Sequence, residues 1–211
     1  QFEIAQFYCE MAQAALFQSD FARARIHVAT ALDANRKCTR ANMILGDVEQ
    51  KQGNYAAAVE AYSAIEKQNH AYLSMVGERL YDAYDAQGKA VEGLTILIGY
   101  MKTFPQVDLL NVIYDKSLLL HGEQRANEIA VELVRAKPDL NGVYRLLGLQ
   151  ISELHPTWRA DVDMMRGVIG RQVQRNWMYR CRNCHFKSQV FFWHCPACNK
   201  WETFTPNRIE V

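Results

Sequence analysis

Apolar and small side chains recur along the first two-thirds of the chain with a spacing of 34 residues. When the sequence is shifted by this period, most positions fall on residues of similar size or polarity. The aligned pairs are Met11 with Leu45, Ala12 with Gly46, Ser19 with Gly53, Asp20 with Asn54, Phe21 with Tyr55, Ala24 with Ala58, Val28 with Tyr62 and Ala31 with Ile65. Each period predicts two helices that cross closely at the small residues. A bundle without repeats would have no physical reason to repeat these positions.

The same pattern continues, with shifts of one residue, through two further units. Gly53, Ala58, Tyr62 and His70 align with Gly88, Gly93, Leu97 and Pro105, and these align in turn with His121, Ala126, Ala130 and Pro138. The two prolines fall where a helix must stop. A period of 34 residues made of helix pairs is that of tetratricopeptide repeats. Residues 1–138 are therefore predicted to form about four units of an α-solenoid.

A less regular helix pair is predicted over residues 139–176. Its first helix is expected from Leu140 to Leu154, and its second from about Trp158 to Gln174, leading directly into the C-terminal segment. An atypical pair is what a solenoid needs at its end, where the last repeat has no neighbour. The predicted fold class is thus mostly α, a tetratricopeptide-repeat solenoid followed by one small C-terminal domain.

That C-terminal domain, residues 177–206, contains two Cys-x-x-Cys pairs. Two intervening residues let a tight turn direct both sulfurs at one point, and the ten residues between the pairs suffice for a short β-hairpin. This pattern predicts a rubredoxin-like, zinc-ribbon knob that binds one metal ion through Cys181, Cys184, Cys195 and Cys198. Disulfides or free core thiols are the alternative.

Four cysteine ligands leave no open coordination position, so the predicted ion is structural rather than catalytic. Zn²⁺ is expected in a reducing compartment, and Fe is the alternative that four thiolates also accept. His185 and His194 lie beside ligands and could replace one, although neither is needed. Because a domain of this size buries little apolar surface, the metal is expected to be its main source of stability. Aromatic side chains surround the site: Trp177, Tyr179, Phe186, Phe191, Phe192, Trp193, Trp201 and Phe204.

Composition gives the chain no tendency towards nucleic acid or membranes. Its 211 residues carry a formal net charge of +1 and are 49% hydrophobic, as in an ordinary soluble protein. No apolar run is long enough to span a bilayer. The chain opens at Gln1 within a helical pattern and without an initiator Met, so we expect a fragment whose upstream part could include a membrane anchor. Cys9 and Cys38 fit buried thiols in a reducing compartment.

Polar residues of the first helix in each unit predict a binding surface, because these helices line the concave face in this class of repeat. Helix periodicity exposes the following side chains there: Gln6, Gln13, Arg40, Asp47, Gln50, Lys51, Glu78, Asp82, Asp85, Asp108, Asn111 and Asp115. The later ones form an acidic wall suited to a partner with basic residues. An ordinary solvated face is the alternative.

Positive charge gathers near the C-terminus, where no acidic residue occurs from Arg166 to Lys187. Candidate partner-binding residues in and beside this segment are Arg171, Arg175, Arg182 and Trp193. They could dock on the acidic wall, on an acidic partner or on an anionic membrane surface. A zinc ribbon that binds nucleic acid is the alternative, although the rest of the chain is not basic.

The sequence contains no recognisable enzyme constellation. It lacks a Gly-rich phosphate loop, a nucleophile elbow and a metalloprotease helix motif. Glu78, Asp82 and Asp85 share a helix face, but no nucleophile or base accompanies them at a recognisable spacing. A binding protein without catalysis is therefore predicted. An iron-containing electron carrier is a further alternative, which colour and reversible reduction would reveal.

The order of these motifs resembles the C-terminal part of the lipopolysaccharide assembly protein B family (LapB, also called YciM). The resemblance covers essentially the whole chain and rests on the repeats, an arginine-bearing helix, Tyr179-Arg180-Cys181-x-x-Cys184, Phe192-Trp193-His194-Cys195-Pro196-x-Cys198 and Trp201. Its most specific part is the run from Trp193 to Cys198. The family's four metal ligands carry over to the same four cysteines, whereas no partner-contact residue carries over.

The resemblance implies a protein held in the bacterial inner membrane by one N-terminal helix, with repeats and knob on the cytoplasmic side. It implies an adaptor that regulates lipopolysaccharide biosynthesis by promoting degradation of the deacetylase LpxC by the membrane protease FtsH. It also implies a response to the inner-membrane protein PbgA (YejM), and a homo-oligomer is compatible with it. We expect the metal to fix the shape of the knob, which then packs on the last repeats through Trp177, Trp193 or Trp201.

One residue departs from the usual pattern of such metal-binding turns. His185 stands where they commonly carry Gly after the second Cys. That position often needs a positive φ, which His tolerates better than most residues but not freely. The departure bears on the geometry of the turn, not on the metal.

Overall fold

The computed structural model describes residues 1–104, 107–151, 154–175 and 179–206, and the chain is mostly helical in these ranges. The helices are α1 Phe2–Phe17, α2 Phe21–Ala34, α3 Thr39–Lys51, α4 Tyr55–Asn69, α5 Leu73–Asp85, α6 Ala90–Thr103, α7 Leu110–His121, α8 Glu123–Ala136, α9 Leu140–Gln150 and α10 Pro156–Arg175. A 3-10 turn, His70–Tyr72, separates α4 from α5. Two short strands follow α10, β1 Tyr179–Arg180 and β2 Lys187–Ser188. The predicted fold class is confirmed.

The turns after α1, α3 and α5 share one backbone geometry. Their left-handed residues are Ser19 (φ 60°), Gly53 (φ 78°) and Gly88 (φ 72°). In each turn, the next amide donates to a carbonyl five positions earlier: Asp20 to Ala15 at 2.9 Å, Asn54 to Glu49 at 2.9 Å and Lys89 to Tyr84 at 3.0 Å. This hydrogen bond satisfies a carbonyl that the end of the helix would leave unpaired. The repeat seen in the side chains is therefore also a repeat of the backbone.

The turn between α7 and α8 is a single residue, whereas the other three turns have three or four. Its left-handed residue is Gly122 (φ 80°), which directly precedes the first residue of α8. Gly122 donates its amide to Leu118 and accepts from Ala126 through its carbonyl, so it ends one helix and begins the next. The predicted alignment of Gly88 with His121 is wrong at this position, because the glycine of the turn lies one residue later.

Small residues lie at the helix crossings, as the period predicts. A Cβ atom on Gly46 would lie 2.3 Å from Cε1 of Tyr62, whose side chain is fully buried. On Gly93 it would lie 2.8 Å from Cβ of Tyr84. At both positions the neighbouring helix occupies the space that a larger side chain would need.

Two side chains predicted on the exposed concave face are buried instead. Gln6 is 0% exposed, and Arg40 is 5% exposed with its guanidinium 2.7 Å from the carboxylate of Glu10. The predicted exposure of both is wrong. Arg40 lies at the start of α3 and pairs with α1, so its charge is neutralised within the solenoid.

Contacts divide the chain into two compact units, Gln1–Tyr100 and Met101–Val211. The first contains a core that joins α1, α2 and α3 through Cys9, Ala12, Val28, Cys38 and Ile44. The second contains α7 to α10 and the C-terminal knob. Predicted domain boundaries at residues 138 and 176 remain predictions, and Pro105, predicted to end a helix, lies outside the described residues. Across the described ranges, every helix is too short or too polar to traverse a lipid bilayer.

Candidate metal centre

The two Cys-x-x-Cys turns of the knob have the same backbone hydrogen bonds. In the first, the amide of His185 donates to Cys181 at 3.0 Å and that of Cys181 to Phe186 at 2.9 Å. In the second, Asn199 donates to Cys195 at 2.9 Å, and Cys195 donates to Lys200 at 3.0 Å. Two equivalent turns thus present two sulfurs each.

Both turns require a left-handed residue directly after the second cysteine. His185 has φ 63° and Asn199 has φ 54°. The positive φ expected for His185 is confirmed, and Asn is the non-glycine residue best suited to that conformation. The chain therefore builds both turns without glycine.

The small sheet lies around the first turn rather than between the two turns. Tyr179 in β1 pairs antiparallel with Ser188 in β2, and Arg180 pairs with Lys187. A hairpin predicted within residues 185–194 is wrong in position, because the metal-binding turn is itself the loop between the strands. An isolated bridge between His194 and Trp201 joins the two sides of the second turn, and another, between Cys181 and Phe204, links the first turn to the segment that follows the second.

The four predicted thiols meet at one point. Cys181 Sγ lies 3.7 Å from Cys198 Sγ, and Cys184 Sγ lies 3.7 Å from Cys195 Sγ. The four sulfur atoms all lie within 4.8 Å of one another. With Zn–S bonds of about 2.3 Å, the corners of a regular tetrahedron are about 3.8 Å apart. The spacing fits one four-coordinate metal ion and is far too long for disulfide bonds, which are about 2.05 Å.

Local polar groups favour ionisation of part of this cluster. Burial opposes ionisation of Cys181, but hydrogen bonding with Thr203 and with the backbone of Cys184 and Asn183 outweighs it and lowers the pKa to about 6. Thr203 Oγ1 lies 3.2 Å from Cys181 Sγ. At Cys184 a backbone hydrogen bond from Phe186 lowers the pKa, but burial and the other sulfurs raise it to about 12. Without a metal ion, repulsion between neighbouring thiolates would let only some of the four thiols ionise, whereas a bound cation would favour four thiolates.

The apolar shell of the knob is small. Cys181, Cys195 and Phe204 form its core among the described residues, each at most 1% exposed, and Pro206 is buried as well. Phe204 receives the edges of Phe186, Phe191 and Phe192 at centroid distances of 6.4, 6.4 and 5.8 Å. With so little apolar surface buried, the sulfur cluster occupies the place of a core.

Other predicted site residues of the knob make contacts inside it. Trp193 meets Phe191 edge-on at 5.1 Å, and Trp201 lies 4.4 Å from the ring of His194. His194 Nε2 lies 3.0 Å from the carbonyl of Asn199, so this nitrogen is engaged away from the sulfurs. The metal cluster found in the described part of the chain includes neither His185 nor His194. Trp177, expected to pack on the repeats, lies outside the described residues.

Some carboxylates of the predicted acidic wall are bonded to neighbouring side chains, and others face the solvent. Asp47 is held by Arg79 at 2.6 Å and by the hydroxyl of Tyr62 at 2.7 Å. Burial first, and then the charge of Asp47, raise the pKa of Tyr62, which therefore stays a hydrogen-bond donor. Asp82 is half-buried, whereas the remaining acidic candidates are exposed: Glu78, Asp85, Asp108 and Asp115.

Of the basic candidates, Arg171 and Arg182 are exposed, whereas the side chain of Arg175 lies outside the described set. Helix periodicity missed the ion pairs between different helices. Arg25 binds Glu49 through two contacts of 2.6 and 2.7 Å, and Asn54 donates to the same carboxylate at 2.8 Å. Opposite charges separated by 24 to 32 residues were the available signal: Arg25 with Glu49, Asp47 with Arg79, and Glu10 with Arg40.

Comparison with known families matches both parts of the chain. Residues 179–206 match the family model described as rubredoxin metal binding domain, and residues 9–72 match a tetratricopeptide repeat model. These two matches agree with the repeat and the sulfur cluster seen in the structure.

Curated relatives match nearly the whole chain. Lipopolysaccharide assembly protein B of Escherichia coli K12 is 27% identical over 208 residues, which is 98% of this chain and 53% of that protein. The protein of the same name from Haemophilus influenzae is 24% identical over 209 residues, 97% of this chain and 52% of that protein. This chain thus spans about half the length of these relatives. The resemblance stated from the sequence is confirmed.

Proposed function

We propose that this chain is the repeat and metal-binding part of a non-enzymatic adaptor in lipopolysaccharide biosynthesis. It promotes proteolysis of the deacetylase LpxC by the protease FtsH at the cytoplasmic face of the bacterial inner membrane. The observation that carries the proposal is the combination of tetratricopeptide repeats with a four-thiol knob in a chain that resembles lipopolysaccharide assembly protein B from end to end.

The metal has a structural role in this proposal. Cys181, Cys184, Cys195 and Cys198 would hold one ion, for which Zn²⁺ is proposed because four thiolates form a closed site. The ion would supply cross-linking between the two turns and no reaction chemistry. The surrounding residues keep that frame in shape, Phe204 by filling the small core and Thr203 through its contact with Cys181.

The mechanism is proximity without catalysis. A repeat surface and a knob that each contact another protein raise the effective concentration of a substrate beside its protease. Exposed carboxylates on α5, Glu78 and Asp85, offer one surface to basic residues of a partner. Exposed Arg171 and Arg182 offer a second surface of opposite charge. PbgA (YejM) is proposed as the membrane partner that restrains the adaptor, and self-association is compatible with the proposal.

The cellular half-life of LpxC tests the proposal in a strain that depends on the full-length adaptor carrying this chain. Cys198→Ser removes one of the four sulfurs, so we expect a collapsed knob and a several-fold longer half-life. Cys9→Ala, which removes a thiol from the helical core instead, is expected to leave turnover near normal. An unchanged half-life with Cys198→Ser, at normal adaptor level, contradicts the proposal.

Charge-reversal variants test the surfaces while all four cysteines stay in place. We expect Glu78→Lys with Asp85→Lys, or Arg171→Glu with Arg182→Glu, to weaken co-purification of LpxC or FtsH. All four side chains are exposed, so the fold tolerates these changes. Normal co-purification with both double variants would remove these surfaces from the proposal and leave the role of the knob standing.

Metal identity is tested on the purified protein. Elemental analysis is expected to give one zinc per chain. A coloured protein that is reversibly reduced would instead identify iron and favour electron transfer.

A further inference from the structure

A pocket of about 520 Å³ opens among α7, α9 and α10 of the second unit. Two arginines line it, Arg145 from α9 and Arg166 from α10, together with Asn111 from α7. Pockets of roughly 300–1,000 Å³ are those that take small ligands. The volume is therefore sufficient for a small molecule, and its charged lining differs from an ordinary crevice between helices.

Both guanidinium groups are held by aromatic rings and not by carboxylates. Arg166 lies over the ring of Tyr144 at 4.8 Å, and Arg145 lies over that of Tyr114 at 5.0 Å. Neither arginine has an ion pair with any acidic side chain in the described ranges, and Nε of Arg166 is buried without a hydrogen-bond partner. A guanidinium stacked on a ring keeps its in-plane N–H groups available to an anion.

Two glycines make room for this arrangement. A Cβ atom on Gly148 would lie 2.9 Å from Nη2 of Arg166, and one on Gly170 would lie 2.8 Å from the ring of Tyr144. The backbone thus approaches both members of the stacked pair more closely than any larger residue would allow. The position of the Arg166 guanidinium is consequently set by the helix packing.

Among the described residues, one carboxylate is hydrogen-bonded to the lining. Asn141 donates through Nδ2 to Asp108 Oδ2 at 3.3 Å, so part of this amide is already used. The carboxylate is bonded to the amide and neutralises neither arginine. Two positive charges and the amide of Asn111 therefore remain to interact with a ligand.

We propose that this pocket binds the phosphate group of a small ligand through Arg145 and Arg166. Two guanidinium groups match the double negative charge of a phosphate monoester, and each forms paired hydrogen bonds with phosphate oxygens. A single carboxylate would leave one of the two charges uncompensated, so phosphate is the better match. This site is independent of the sulfur cluster and of the proposed adaptor role.

Titration calorimetry of the purified chain, at constant ionic strength, tests the site with glycerol 3-phosphate and inorganic phosphate as probes. We expect both to bind and glycerol not to bind. Arg145→Gln or Arg166→Gln should weaken binding by about 10-fold or more, the usual effect of losing a charged hydrogen-bond donor. Arg135→Gln, an exposed arginine near the end of α8, changes the net charge equally and should have no effect.

Gly148→Ala provides the more specific test, because it keeps every charge. The new methyl group would displace the flexible end of Arg166, so the fold should persist while phosphate affinity falls several-fold. Unchanged thermal unfolding together with weaker binding would support a built site. Equal binding by Gly148→Ala and the unmodified chain would overturn it.

The source of the phosphate is distinguished by vesicles. If the chain floats with phosphatidylcholine vesicles that contain phosphatidic acid, and Arg166→Gln abolishes this flotation, the phosphate belongs to a lipid headgroup. If soluble phosphate esters bind but these vesicles do not, the ligand is a small soluble metabolite. The proposal fails if no phosphate probe binds, if Arg135→Gln weakens binding as much as Arg166→Gln, or if an acidic peptide binds there more tightly than any phosphate.

Discussion

Two groups of sulfur atoms in this chain have nearly the same spacing and very different surroundings. In the first unit, Gln1–Tyr100, here called the helical unit, Cys9 Sγ and Cys38 Sγ lie 3.6 Å apart within an apolar cluster contributed by three helices. In the knob, four thiols at similar spacing meet amide and hydroxyl groups, and Phe204 is the largest fully buried side chain of those described there. Cys38 also has a polar neighbour, because Gln6 Nε2 donates to its sulfur at 3.8 Å. Close sulfurs alone therefore do not define a metal site; the convergence of four of them at one point does.

The comparison extends to what stabilises each region. The helical unit buries side chains along several helices, so its stability is spread over many contacts. The knob concentrates its stability in one place, because its core would be too small to fold without a cross-link. Perturbations of metal and of packing should thus act on different regions.

Removal of the metal should produce the largest effect. A strong chelator is expected to unfold residues 179–206, because structural zinc contributes on the order of 10 kcal/mol to small domains of this kind. Hydrogen exchange followed by mass spectrometry should show lost protection in the knob and unchanged protection in α1 to α4. Equal exchange in the knob before and after chelation would contradict a structural metal. Cys9→Ala serves as the control, since its metal content should match that of the unmodified chain.

Overpacking at the crossing of α3 and α4 should destabilise the helices and leave the knob unchanged. Gly46→Ala places a methyl group against Tyr62, whose hydroxyl is fixed by Asp47 at 2.7 Å and by Gln50 at 2.9 Å, so the ring cannot turn aside. We expect a loss of about 1–3 kcal/mol in the free energy of unfolding of the helical unit, measured by denaturant titration.

Bound metal should remain unchanged in the Gly46→Ala variant. Gly99→Ala is the matched control, because a Cβ atom there meets nothing within 4 Å and alanine favours a helix. A metal content that falls with Gly46→Ala would show that the two regions are not energetically separate.

His185→Gly should strengthen the knob by a smaller amount. The residue has φ 63°, a conformation that costs a non-glycine residue about 1 kcal/mol or more. Glycine removes this strain but loses more entropy on folding, so we expect a net gain of about 0.5–1 kcal/mol. Competition with a chelator should show slower metal loss. Asn199→Gly should gain less, since Asn tolerates a positive φ better, and faster metal loss in His185→Gly would refute the argument.

Local features of both regions could be predicted from sequence because they depend on residue type at a fixed spacing. The small residue at Gly46, the turn at Gly53 and the convergence of Cys181 with Cys195 all follow from such patterns. The strained turn at His185 was also predictable, because its neighbours fix the motif.

Contacts between side chains of different helices could not be predicted in the same way. Helix periodicity places Arg40 on a polar face, but it does not show that Glu10 of another helix lies opposite. The same holds for Arg166, whose stacking on Tyr144 depends on space left by Gly148 on a neighbouring helix. Sequence reasoning misplaced or missed the side chains whose main contacts are made by residues of another helix.

The weakest expected effect concerns the pairing of α2 with α3. A hydrogen bond from Arg25 is the main cause that lowers the pKa of Glu49 below its usual 4.5. A carboxylate with a lowered pKa in the folded state contributes stability above about pH 4.5, and this contribution is lost as the pH falls through the folded-state pKa. Arg25 is 38% exposed, so solvent screens the pair and the contribution is at most about 1 kcal/mol.

Glu49→Gln should therefore destabilise α2 and α3 slightly at neutral pH, and the difference from the unmodified chain should shrink below pH 4.5, the usual value for this side chain. Hydrogen exchange of peptides from α2 and α3, corrected for the intrinsic effect of pH on exchange, measures the stability of these two helices separately from that of the knob. A difference that grows as the pH falls would have the wrong sign for a lowered pKa and would assign the stability of this pair to packing instead of charge.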